Sequence, residues 1–140
     1  MSETSISLNL EGRLSKITVP YTAFSAFAAV TGDVELFSLP ASGIIHMVKV
    51  KHSTGFVAGS QTTCLASVGV SGNLAKYHPV YQIDATANPV SDTTFNLNNV
   101  MGSENHGAVA SIRIALTSNV NLNTLSAGSV DVWVWYVRAS

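Results

Sequence analysis

The stretch DVELFSLPASGIIHMVKVKHSTGF, Asp33 to Phe56, decides the fold. Asp33–Leu39 alternates, with Val34 and Leu36 on one side and Glu35 and Phe37 on the other. Pro40-Ala-Ser-Gly43 then supplies a corner, since proline presets φ and glycine tolerates a positive one. Ile44–His52 alternates again: Ile44, Val48 and Val50, broken only by His46, stand opposite Lys49 and Lys51. Period two over two adjacent runs predicts half-buried antiparallel strands. No catalytic pattern falls within them.

Working outward, the same period recurs. Leu14–Val19 reads as a short strand ended by Pro20, and Tyr21–Ala29 is a helical turn around Phe24 and Phe27, a strand or an irregular link. Thr54–Gln61 reads as a Gly-rich loop with Phe56 as its buried anchor. Thr62–Val70 alternates Cys64, Ala66, Val68 and Val70, and Gly72-Asn73 turns the chain into Tyr77–Ile83. Pro79 inside that run marks an edge strand or a bulge. Asp84–Thr93 and Asn98–Gly107 read as long loops around a brief strand at Thr94–Leu97. Ala108–Thr117 and Ser129–Val137 complete about eight strands with almost no helix. The fold class is therefore an all-β antiparallel sandwich with jelly-roll connections. An immunoglobulin-like sandwich and a single-chain barrel are the alternatives. Residues 1–13 form an N-terminal arm or edge strand, with alternating Ile6, Leu8 and Leu10, and 14–140 a single β-sandwich domain.

Composition restricts the function. In 140 residues, 46% are hydrophobic and only 11% charged, against roughly 25% charged in ordinary soluble domains. So little charge implies a surface partly covered by protein. A net charge of −1 gives no reason to expect nucleic acid or an anionic membrane as partner. Cys64 is the only cysteine, which excludes an intrachain disulfide and reads as a buried inert thiol. The opening MSETSISLNLEGR lacks a basic, apolar signal pattern, so synthesis in a cytoplasm is expected.

Candidate chemistry is sparse. Glu104, Asn105 and His106 share one loop, and Asp84 and Asp92 another; they suit a Ca²⁺ site or acid/base pair less well than turn-capping roles. His46, His52, His78 and His106 are scattered and lack zinc spacing. There is no GxSxG elbow and no phosphate loop. No catalytic, cofactor or metal residue is assigned, and no enzyme is expected. Lys49, Lys51 and His52 read as a basic stripe. Tyr77, Tyr81, Trp133 and Trp135 are core or interface aromatics, or else a platform for stacking sugars.

The last strand carries the sharpest expectation. Val130, Val132, Val134 and Tyr136 share one face, and Asp131, Trp133, Trp135 and Val137 the other. A strand apolar on both faces must be covered twice. One face fills the core, and a loop or a neighbouring subunit covers the other. Ile6, Leu8, Leu10, Trp133, Trp135 and Tyr136 are thus the candidate interface residues.

The segments TVPYTAFSAF (Thr18–Phe27), LFSLPASGIIHMVKVKHSTGF (Leu36–Phe56), GSENHG (Gly102–Gly107) and NLNTLSAGSVDVWV (Asn121–Val134) resemble small phage virion proteins. The resemblance spans most of the chain after Glu11 and transfers no active residues. It implies an accessory head protein of the capsid decoration, or cement, class. It further implies a β-sandwich homotrimer on the capsid surface, with the major capsid protein and other copies of itself as partners. A head-fibre or tail module binding host glycan is the alternative.

Overall fold

The computed structural model describes residues 13–88, 96–99 and 108–138. Eight strands run in chain order: β1 (Arg13–Pro20), β2 (Thr31–Leu39), β3 (Gly43–Val57), β4 (Cys64–Val70), β5 (Asn73–Gln82), β6 (Asn96–Asn99), β7 (Ala110–Ser118) and β8 (Ala127–Arg138). They form two antiparallel four-stranded sheets, ordered β1-β8-β3-β6 and β2-β7-β4-β5. Only the β4–β5 turn stays within one sheet; every other connection crosses between them. The all-β sandwich expected from the periodicity is the observed architecture. Tyr21–Phe24 is a 3₁₀ turn, so the Phe24/Phe27 spacing yields one tight turn with the rings 6.2 Å apart.

The core lies between the sheets. Val130, Val132 and Val134 are fully buried against Val48 and Val50 of β3 and Val19 of β1, and they meet Ile112, Ile114, Val68 and Cys64 across the sandwich. The inner face assigned to β8 is therefore the valine face.

Three expectations from period two are corrected, and each correction is a register shift. Between Glu35 and Phe37 the pairing with β7 slips, so Leu36 is an extra residue and Phe37 pairs with Ile112. Phe37 consequently packs on the core beside Val34, stacking on Tyr136 at 5.5 Å. A second shift, between Ile45 and Met47, turns Ile45 inward and leaves His46 exposed, where strict alternation had put Ile44 inside. Third, β3 does not stop at His52: with two further shifts it reaches Val57, so the loop expected from Thr54 starts only at Ala58. Phe56 is nevertheless the buried anchor, at 0% exposure. Pro79 satisfies both of its readings, because β5 is an edge strand and its register to β4 shifts between Val68 and Ala66.

The two ends of the sandwich differ. β1 begins and β8 finishes at the near end, and the connection between β6 and β7 also leaves there. The far end is tied by backbone hydrogen bonds, among them Leu122 N to Ala29 O, Asn123 N to Phe27 O and Ser126 N to Val57 O, at 2.8–2.9 Å. Asn119 Oδ1 adds acceptors for the amides of Thr62 and Thr63.

Cys64 is buried in this core, and burial pushes its thiol up to about 12; a hydrogen bond from Gln61 offsets this in part, and the charge of Asp84 adds to it. A thiol held so far from ionisation offers almost no thiolate near neutrality. Iodoacetamide at pH 8 is expected to leave Cys64 unmodified in the folded chain and to label it fully in denaturant, as read by intact mass.

Candidate functional site: the outer face of the first sheet

Register assembles this face from three strands. Lys16 of β1, Trp133 of β8 and Lys49 of β3 stand in one row; Thr18, Asp131 and Lys51 form the next row toward the far end. Toward the near end, Leu14, Trp135 and Met47 form a third. Asp131 is held in place: Thr18 Oγ1 donates to its Oδ1 at 2.8 Å, and Lys16 Nζ lies 4.0 Å from its Oδ2. The same ammonium sits 5.4 Å from the Trp133 ring centroid, a cation–π arrangement. With the Lys16 side chain 53% exposed, screening leaves the ion pair a small contribution. Trp133 is half-buried under these neighbours, whereas Trp135 stays 41% exposed.

The outer face of the second sheet has the opposite character. Arg113 reaches Asp33 through its Nε and Ser111 through a terminal nitrogen, and Ser111 Oγ donates to Glu35. Opposite charges cross-paired on neighbouring strands suit a face turned to water. The chain carries only two tryptophans, both on the first sheet's outer face. Trp135 is the more exposed of the two.

The other candidate residues are distributed as follows. Ile6, Leu8 and Leu10 lie outside the described residues, as do Asp92, Glu104, Asn105 and His106. Tyr136 is on the inner side, stacked on Phe37 at the core's near edge. Tyr77 is buried, and Tyr81 packs against the core from β5 in the other sheet, so no four-ring sugar platform exists. His52 is 1% exposed and points inward, which removes it from the stripe with Lys49 and Lys51; even numbering had already placed it on the other face.

Sequence reading missed the polar lattice that His52 joins. A carbonyl can only accept, so His52 Nε2 donates to Asn88 O at 3.0 Å, and its Nδ1 shares a hydrogen bond with the Tyr81 hydroxyl at 2.8 Å. Asn88 Nδ2 donates to Gln82 O, and Asp84 Oδ2 accepts the amides of Thr86 and Ala87. Asp84 is thus a turn cap. The other members of the suggested acid/base set, Asp92, Glu104 and His106, lie outside the described residues. Among the described residues no three His, Cys, Asp or Glu side chains group to hold a metal ion, and no helix is long and apolar enough to cross a membrane.

Tyr77 and Tyr81 have phenol pKa values raised above the ordinary value by burial, an effect that a hydrogen bond with Asn88 opposes at Tyr81. The protonated forms are thus favoured in the fold. Their stabilising contribution is complete below the unfolded value of about 10 and is lost as pH rises through the folded values. Denaturant midpoints are expected to fall above about pH 10, and Tyr81→Phe to flatten that fall.

No family model and no curated protein matches the chain. Solved structures do. A chain of the cyanophage Pam1 capsid asymmetric unit is 18% identical, with 94% of this chain and 87% of that one covered at a TM-score of 0.62. A chain in the acid-stable capsid structure of Helicobacter pylori bacteriophage KHP30 is 13% identical, covering 92% and 89% at 0.57. A chain in the capsid of Ralstonia phage GP4 is 12% identical, covering 93% and 86% at 0.59. At such identities the likeness is one of fold.

Proposed function

We propose that the chain is a structural protein of a phage virion, which decorates and stabilises the outer surface of the capsid as a homotrimer seated on the major capsid protein. The observation that carries this reading is the fold shared, over more than nine-tenths of the chain, with chains from three phage capsids. The strand order supports a jelly-roll connection, since all crossings but one pass between the sheets. The tryptophan face supplies a surface for neighbours, in keeping with a charged fraction of 11%. On this reading the protein is made in the host cytoplasm and has no catalytic duty.

Purified protein is expected to bind saturably to capsids assembled without it and to raise the temperature at which they release DNA. Capsids that neither take it up nor gain stability would contradict the reading. A glycan-binding role on the virion keeps one supporting observation, the exposed Trp135 ring. Binding on a glycan array without binding to shells would favour it.

A further inference from the structure

We infer that the far end of the sandwich is the surface by which the protein stands on the shell, and that the patch it meets there is uncharged. The inference rests on the reading of the chain as a capsid protein and names its contact surface. Three connections build this end: residues 21–30 between β1 and β2, 58–63 between β3 and β4, and 119–126 between β7 and β8. None of them contains Asp, Glu, Lys, Arg or His. In the fourth far-end connection, the described acid is Asp84, which is 2% exposed and caps its own turn. The near end differs, because β1 starts there with Arg13 and β8 finishes there with Arg138.

The connection 119–126 stitches the other two together. Leu122 N donates to Ala29 O on one side, and Ser126 N to Val57 O on the other. Val30 and Val57, 42% and 41% exposed, therefore flank it, while Leu122 and Leu125 are buried in the core below. Such a surface is formed before any partner arrives, so binding orders little chain. Its lack of charge selects the partner. A charged group placed against it would lose water and meet no counter-charge. A patch of small aliphatic and uncharged polar groups loses water without that penalty, and interface cores are depleted of charge in the same way. Other copies of the chain are assigned the first sheet's outer face, which runs along the strands. The far end lies across the strands and faces a partner of a different kind, the shell.

Gly59 offers the cleanest probe, since it is exposed and a Cβ there would meet nothing within 4 Å. Gly59→Glu, Gly59→Lys, Val30→Glu and Val30→Lys are each expected to weaken binding to capsids assembled without the protein by about tenfold or more. Melting temperature and light-scattering mass should stay as in the native chain. Both signs of charge should act alike, and native binding should vary little between about 50 and 500 mM salt. Val109→Glu, at a 66% exposed position of the near end, should bind as the native chain does. Native affinity in all four far-end variants overturns the inference and leaves the capsid reading intact. A native chain that does not bind capsids overturns the reading itself. A gain for Lys with a loss for Glu, or the reverse, overturns the uncharged partner. Loss of the oligomer in these variants overturns the shell contact in favour of one between copies.

Discussion

Phe56→Ala is expected to cost about 3–5 kcal/mol, enough to lower the melting temperature by on the order of 10 °C. The ring is fully buried at the far end, where β3 meets the exit of β5. Its backbone is committed as well: Phe56 N donates to Ile83 O at 2.8 Å, and Phe56 O accepts from Ala85 N at 3.0 Å. The cavity cannot collapse easily because those strands are tied to each other. Gly128 belongs to the same knot. It has φ +138°, and a Cβ built there would stand 2.5 Å from Phe56 Cγ. Gly128→Ala therefore combines backbone strain of about 1–2 kcal/mol with overpacking of similar size. The two substitutions should be non-additive. With the Phe56 ring gone, Gly128→Ala is expected to lose its steric part and retain only its backbone part. Urea melts of the two single variants and the double variant measure this; simple additivity would show that ring and glycine do not meet.

The second large effect concerns association. Trp133→Ser/Trp135→Ser is expected to convert the oligomer to monomer, or to aggregate, in light scattering. Interface tryptophans typically contribute 2 kcal/mol or more each on truncation, so the pair should weaken association by roughly a thousandfold. The fold should survive, because the valine face of β8 is untouched and fills the core by itself. An oligomer of unchanged mass would show that the indoles serve only their own sheet, through contacts such as Lys16 over Trp133.

Much of this architecture is legible in the residues, for reasons that also explain what is not. The two faces of β8 are legible because alternation with period two survives any choice of partner strand, but only the fold shows that Val130, Val132 and Val134 are the inner one. Trp133 and Trp135 follow on the outer face by the same parity. What alternation cannot encode is its own interruption. Nothing in ELF or IIHM marks the extra residue that turns Phe37 and Ile45 inward; the cause is pairing with β7 and β8, far away in sequence. Neighbours across strands are hidden for the same reason. Lys16, Trp133 and Lys49 are a row only after the register is known. The His52–Tyr81–Asn88 lattice is likewise invisible, although the parity of His52 against Lys49 and Lys51 was available and argued for an inward ring. Asp84 caps a turn, its Oδ2 accepting the amides of Thr86 and Ala87, as the backbone-capping reading of such loop residues expects.

A density map of the purified virion, detailed enough to dock the sandwich, tests the central claim most directly. The account predicts copies of the chain on the outside of the shell, with the Trp133–Trp135 face of the first sheet buried between them and the polar Asp33–Arg113 face of the second sheet turned to water. A particle without the chain, or one in which that tryptophan face is open to solvent, contradicts it.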